Sequence, residues 1–194
     1  MSKTPGSEKM ERAMRAPHVI FDLDGTLMEV PVDWGAVHEE MTGIGRDSGL
    51  IGEFKDLHEA YAWAERTTGV KERLVSAQSY HEMRGAGKAK FVRKGTMAAR
   101  SRLSRGLSCS LFTLNTIDLV EALVGSWGFY PIVTVDRVSR LKPDPEGISL
   151  ILKVLSMRPE DVIFIGNSDI DRNTALRAGI TFIEVGELDE AWFG

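Results

Sequence analysis

A doubly wound α/β fold, with helices on both faces of a parallel sheet, is the architecture this sequence predicts. Five short runs, at 18–22, 108–113, 131–135, 162–165 and 181–185, are mostly apolar and rich in Val, Ile and Phe. Strands covered on both faces read this way, as continuous apolar runs without alternation. Helical patterns lie between the later runs: Ile148, Ile151, Leu152 and Leu155 share one face, and Thr174 to Arg177 continue a second helix that Gly179 could cap. Strands alternating with helices pair in parallel through right-handed crossovers. Asp22, Thr113 and Asn167 then fall at or just after carboxyl ends of strands, where open α/β sheets place their ligands.

Taken in order, residues 1–16 are polar and mixed in charge, without the apolar segment of a signal peptide, and read as a frayed or short helical extension. The first strand ends in Asp22-Leu23-Asp24-Gly25-Thr26. Successive side chains of a strand face opposite ways, so Asp22 and Asp24 leave its end close together. Carboxylates held that close repel, share a proton or bind a hard cation. The same residues would also suit an ordinary surface turn. Residues 31–94 break the alternation and read as helical, through Trp34, Val37 and Met41, then Phe54, Leu57, Tyr61 and Ala64, then Val70, Leu74, Ala77 and His81. Gly43, Gly45, Gly49 and Gly52 divide the first helix from the second, and Gly69 the second from the third. The expected organisation is a core of 17–30 and 95–194 interrupted by a helical insertion at 31–94.

Composition narrows the class. Apolar residues make up 43% of the 194, ordinary for one domain with a modest insertion. A net charge of −4 gives no reason to expect nucleic acid. No apolar run approaches the roughly 20 residues that span a bilayer, so no membrane partner is expected. The single cysteine, Cys109, has no internal partner and lies in an apolar-leaning strand, which suits a buried thiol and a cytoplasmic setting. His18, His38, His58 and His81 are too scattered for a metal cluster. From Met83 to Ile117 there is no acidic residue among several Lys and Arg, which reads as a solvated helix face and linker ahead of a phosphate-steering surface. Gly85-Ala86-Gly87-Lys88-Ala89 only superficially suggests a phosphate loop: Glu82 stands at the first glycine and Ala89 where Ser or Thr would hold magnesium.

Four motifs occur in a fixed order: Asp22-Leu23-Asp24-Gly25-Thr26-Leu27, then Leu111-Phe112-Thr113, then Arg140-Leu141-Lys142-Pro143-Asp144-Pro145, then Val162 to Asp171 followed by Ala178-Gly179. In that order they resemble the haloacid dehalogenase-like hydrolases over roughly residues 17–186. The resemblance implies an aspartate nucleophile at Asp22 that forms an aspartyl-phosphate, and a general acid–base at Asp24. It implies that Thr113, Gly25, Thr26, Leu114 and Asn115 hold the phosphate and that Lys142 neutralises it. Mg2+ would be held by Asp22, Asp24, Asn167 and Asp171, and the helical insertion would be a cap over the site. Dehalogenases and phosphonate hydrolases of the family lack an aspartate at the position of Asp24, which points to phosphatases and phosphomutases acting on a small phosphorylated metabolite. The expected architecture is phosphoglycolate phosphatase-like. One departure stands out: Asn167 occupies a position where the family carries aspartate. The amide still offers a hard oxygen but removes one negative charge. A phosphomutase, or a catalytically weak protein that binds phosphate ligands, therefore remains open beside the phosphatase.

Overall fold

The computed structural model describes residues 14–192. Five strands form one parallel sheet in the order β5-β4-β1-β6-β7: β1 (His18–Phe21), β4 (Ser108–Phe112), β5 (Ile132–Val133), β6 (Val162–Gly166) and β7 (Thr181–Glu184). These are the five predicted strands, with ends shifted by one or two residues and β5 cut to a pair. The third run shortens because Thr134 already leaves the sheet to start a 3₁₀ turn at Val135–Arg137. Successive residues of β1 do separate onto two faces. Val19 and Phe21 join one buried cluster with Ala98, Ala99, Leu119 and Val120, while Ile20 joins the other with Ile148, Ile151 and Ala175. The first cluster is covered by α4 (Arg93–Ser104) and α5 (Ile117–Val124), the second by α6 (Glu146–Leu155) and α7 (Asp169–Ala178). Gly179 closes α7 in the left-handed conformation, as predicted.

Strand β1 is central, and this position sets where the site residues gather. Phe21 is level with Leu111 of β4 on one side and with Ile165 of β6 on the other. Three adjacent strands therefore end together, and the residues just beyond them share one edge.

Between β1 and β4 lie a two-stranded antiparallel ribbon, β2 (Met28–Glu29) with β3 (Lys90–Phe91), and three helices inserted between its strands. These are α1 (Trp34–Asp47), α2 (Leu57–Ala64) and α3 (Lys71–Ala86). Asp33 and Asp56 start α1 and α2 by accepting from the Ala36 and Glu59 amides. Two expectations are corrected here. Helix α1 continues through Gly43 and Gly45, because Gly45 faces Leu50 and Phe54 so closely that a Cβ would lie 2.8 Å from both; packing overrides the poor helix propensity of glycine. On α3 the buried stripe includes Gln78 and Glu82, whereas His81 lies nearer the surface, bonded to Glu40. The Gly85–Ala86 part of the rejected phosphate loop is the last turn of this helix. Of the predicted N-terminal extension, residues 1–13 lie outside the described residues; Ala16 is buried and its carbonyl accepts from buried Arg102. Cys109 is buried, and burial pushes its thiol up.

His18 lies fully buried under the sheet edge, with Nδ1 2.7 Å from Ser108 Oγ and Nε2 2.6 Å from Ser110 Oγ. Burial, helped by Arg102, lowers its pKa to about 4 from an ordinary 6.5. The unfolded chain thus binds a proton that the folded one refuses. Stability contributed by neutral His18 is complete above pH 6.5 and is lost as pH falls from there toward 4. Thermal midpoints of the wild type should drop across that window, and His18→Gln should flatten the drop; parallel pH curves for the two proteins would remove His18 as its source.

Candidate active site

The edge where β1, β4 and β6 end carries a cleft of about 340 Å³. Asp22, Asp24, Thr113, Leu114, Asn115, Lys142, Asn167 and Asp171 all line it, together with Trp34 from α1, Leu57 from α2, and Ser168 and Ile170. Asp22 is the residue after β1, and its amide donates to the Ile165 carbonyl at 3.0 Å, which fixes the carboxylate over the strand ends. Lys142 reaches it from the loop before α6. Its ammonium lies 2.8 Å from Asp22 Oδ1 and 2.8 Å from Asp171 Oδ1, only 1% exposed, and 4.8–4.9 Å over the rings of Phe112 and Phe164. Ring faces and two carboxylates surround one cation.

Asp171 sits in the first turn of α7. Its second oxygen accepts from the Ser168 hydroxyl and amide, and the Ser168 hydroxyl accepts in return from the Asp171 amide, a capping box. One oxygen of Asp171 thus meets Lys142 and the other the cap. The sequence expectation placed Asp171 as a cation ligand; in the structure it contacts Lys142 and the cap of its own helix. Thr26 also takes a different place from the expected phosphate contact. It is fully buried, and its hydroxyl lies 3.2 Å from both Asp22 Oδ2 and Asn167 Oδ1. Gly25, with φ +75°, turns the chain back over Asn167; a Cβ there would sit 2.2 Å from the Asn167 amide nitrogen. Only glycine meets both demands. Asp24 Oδ1 accepts from the Val30 amide at 3.0 Å.

Burial sets the titration of the site. It pushes Asp22 up to about 6, with Lys142 opposing and Asp171 adding to the rise. It raises Asp24 too, against the hydrogen bonds from Val30 and Gly25. Burial works against the charge of Lys142, but Asp22 and Asp171 outweigh it and hold the ammonium above its usual range. Asp171 is likewise disfavoured by burial, yet Lys142 and the Ser168 bonds hold its carboxyl below the usual range.

One hydroxyl proton cannot serve both oxygens beside Thr26, so either Asp22 Oδ2 or Asn167 Oδ1 is left with a free acceptor. Two buried carboxylates against one lysine leave net negative charge at the same point. A hard divalent cation fits that donor set. Asp22, Asn167 and Asp24 would hold it. Among the described residues no three His, Cys, Asp or Glu side chains are arranged around a common metal position.

Thr113, just beyond β4, donates its hydroxyl to Asn115 Oδ1 at 2.7 Å, and the Asn115 amide donates back to the same hydroxyl at 3.2 Å. Asn115 Nδ2 in turn donates to Glu82 Oε1 at 2.9 Å, and Glu82 Oε2 accepts from the Thr116 amide at 3.0 Å. The Gln78 amide donates to Glu82 Oε1 and to the Leu114 carbonyl. From α2, the His58 imidazole donates to the Lys142 carbonyl. Trp34 and Leu57, read in the sequence as members of apolar stripes, reach the cleft from the first turns of their helices, and Trp34 is 42% exposed there. None of Gln78, Glu82 and His58 stood out in the sequence. A Gln–Glu pair four residues apart, beside Leu74 and Ala77, was the available signal.

Comparison with known proteins matches this arrangement to a family. The sequence model described as haloacid dehalogenase-like hydrolase matches residues 105–185, which carry Thr113, Lys142 and the Asn167 loop. Phosphoglycolate phosphatase 1 of Pseudomonas aeruginosa is 27% identical over 87% of this chain and 69% of its own. An (S)-2-haloacid dehalogenase of Xanthobacter autotrophicus is 25% identical over 89% of this chain and 76% of its own. The chain is similar to haloacid dehalogenase-like hydrolases. Solved structures share its fold: a hydrolase from Pseudomonas syringae superposes with a TM-score of 0.61 at 19% identity over 91% of this chain and 88% of the other. CbbY from Rhodobacter sphaeroides, solved in complex with phosphate, gives 0.60 at 20% over 87% and 85%.

Lys142→Met should be strongly destabilising, because it leaves Asp22 and Asp171 buried without a counter-charge. Breaking such a pair costs about 3–5 kcal/mol. Urea unfolding at pH 7 measures it, and the deficit should shrink on acidification as the carboxylates take up protons. Equal midpoints at pH 7 would mean that the bridge does not contribute.

Proposed function

We propose that the protein is a magnesium-dependent phosphatase that hydrolyses a small phosphomonoester through an aspartyl-phosphate at Asp22. The observation that carries this reading is Asp22 itself: a carboxylate at the floor of the cleft, beside a buried lysine, with Asp24 on the same turn. One Asp22 oxygen attacks phosphorus and the P–O ester bond breaks, while Asp24 gives its proton to the departing alkoxide. Water then attacks the acyl-phosphate, Asp24 takes its proton, and phosphate leaves with the Asp22 carboxylate restored. Burial supports both roles, since it makes Asp22 more basic and helps Asp24 keep a proton. Lys142 holds positive charge beside the reacting group, and Thr113 would exchange Asn115 for a phosphate oxygen as its acceptor. The cation, where bound, would neutralise phosphate charge and screen it from Asp22.

Residues 31–94 serve in this reading as a cap, and the support is that Trp34 and Leu57 line the same cleft as Asp22 and Asp24. The names of the phosphatase relatives favour a small phosphorylated substrate, and the lone buried Cys109 suits a reducing cytoplasm. Asp24 favours phosphate over halide chemistry despite the dehalogenase relative.

Purified protein should release phosphate from a generic phosphomonoester only with a divalent cation, and Asp22→Asn should abolish turnover while keeping the fold. Activity surviving in that variant would remove Asp22 as nucleophile. Sustained release without a bisphosphate activator would set the protein apart from a phosphomutase.

Asn167 favours a weak cation site. Asn167→Asp restores one negative charge, and the gain in cation affinity should be about one to two powers of ten, equivalent to roughly 1–3 kcal/mol. Repulsion from Asp22 and Asp24 opposes it, but a bound dication reverses that sign. Activity titrated against magnesium decides: an equal or weaker midpoint in the aspartate variant would show that Asn167 is not a compromised ligand.

A further inference from the structure

We propose that Glu82, on the inserted helix α3, is a positioning residue that sets the hydroxyl of Thr113 through Asn115. The proposal rests on the phosphatase reading. Glu82 is fully buried, although carboxylates are rarely buried without partners. Its partners are all donors: Asn115 Nδ2 at 2.9 Å and Gln78 Nε2 at 2.8 Å on one oxygen, and the Thr116 amide at 3.0 Å and the Thr116 hydroxyl on the other. Four donors compensate an ionised carboxylate and leave it no empty lone-pair direction toward the cleft.

The chemistry of an acceptor-only group then decides two orientations in turn. A carboxylate can receive only the NH2 side of Asn115, so the Asn115 carbonyl oxygen must point the other way. It points at Thr113, 2.7 Å from the hydroxyl, which must therefore donate to it. The backbone amide of Asn115 occupies a lone pair of the same hydroxyl. Glu82 thus fixes, through Asn115, where the Thr113 hydroxyl sits and keeps its single proton on Asn115 until a phosphate oxygen takes Asn115's place as acceptor. The same carboxylate sits at the amino end of α5, bonded to the Thr116 amide, so the positive end of that helix already holds an anion from α3. Thr113, rather than the helix terminus, is left to meet the substrate.

Glu82→Gln tests this with little change in shape. Its new NH2 faces either the Asn115 NH2 or the Thr116 amide, so one arm of the cradle breaks and Asn115, or the Thr116 turn that carries it, must shift and move the acceptor of the Thr113 hydroxyl. kcat/KM for a generic aryl phosphate with magnesium should fall about tenfold, and the affinity for inorganic phosphate, read by calorimetry, should fall with it. In a Thr113→Val background the same substitution should change both quantities less than about twofold, since non-additivity marks residues that act through one another. An equal fractional loss in both backgrounds, or no loss in either, would overturn the proposal and assign Glu82 to stability alone. If Glu82→Gln does not fold, Asn115→Ser enters the same cycle in its place, because it cuts the relay and leaves Glu82 bonded to Thr116; the same two outcomes decide. Wild-type protein that hydrolyses no phosphomonoester would instead defeat the phosphatase reading, whereas an active wild type with additive variants defeats only the role of Glu82.

Discussion

The Lys142 ammonium between Asp22 and Asp171 is the contact on which the working edge of this molecule depends. It joins the end of β1, the loop before α6 and the first turn of α7 at one point, with 2.8 Å to each carboxylate. Neither carboxylate would be tolerable there alone, since burial penalises each charge by more than its hydrogen bonds return. The rings of Phe112 and Phe164, whose strands flank β1, close the remaining sides. Sheet register, loop path and helix cap therefore have to agree before the cation can be placed. A shift of one residue in β1 would turn Asp22 to the opposite face of the sheet.

Around that bridge the charges are arranged to be incomplete. Two carboxylates face one lysine, Asp24 is held close by on the Gly25 turn, and Thr26 has one proton for two oxygens. A site left negative and short of donors is primed for a cation, and a cation in turn makes room for a dianionic phosphate. Asn167 moderates the first step by removing one charge. Its side chain also fills the space under Gly25, so the residue has a packing role that is independent of any ligand role.

The inserted helices are tied to the core more tightly than the word insertion suggests. Val37, Met41, Tyr61 and Leu74 belong to the same buried cluster as Phe112, Ile148 and Phe164. Polar ties add to it: His58 to the Lys142 carbonyl, Lys71 to the Val138 carbonyl, Gln78 to the Leu114 carbonyl, and Glu82 to Asn115 and Thr116. Each reaches a loop that lines or supports the cleft. Any wide opening of these helices would expose a shared apolar surface and leave Glu82 with Gln78 as its remaining donor, a cost that favours small displacements near Trp34 and Leu57 over a swing of the whole insertion.

Much of this was legible in the chain. Apolar runs are local, and so is the alternation of strands with helices; they suffice to predict the sheet, its parallel pairing and the edge at which Asp22, Thr113 and Asn167 gather. The helical spacing between the first two core strands could also be read, because periodicity needs no knowledge of neighbours. Distance across the chain could not. Glu82 and Asn115 are 33 positions apart, Lys142 and Asp22 are 120, and side-chain chemistry alone does not say which donors will meet which acceptors. That Asp171 would meet Lys142 and Ser168 could not be read from its spacing. Thr26 looked like a phosphate contact, until the turn buried it between Asp22 and Asn167. The sequence by itself determined the secondary structure and the set of reactive groups, since both follow from residue type and spacing. Only the tertiary structure decided which lone pair faces which proton, because that depends on three strands, two loops and an inserted helix meeting within hydrogen-bond range.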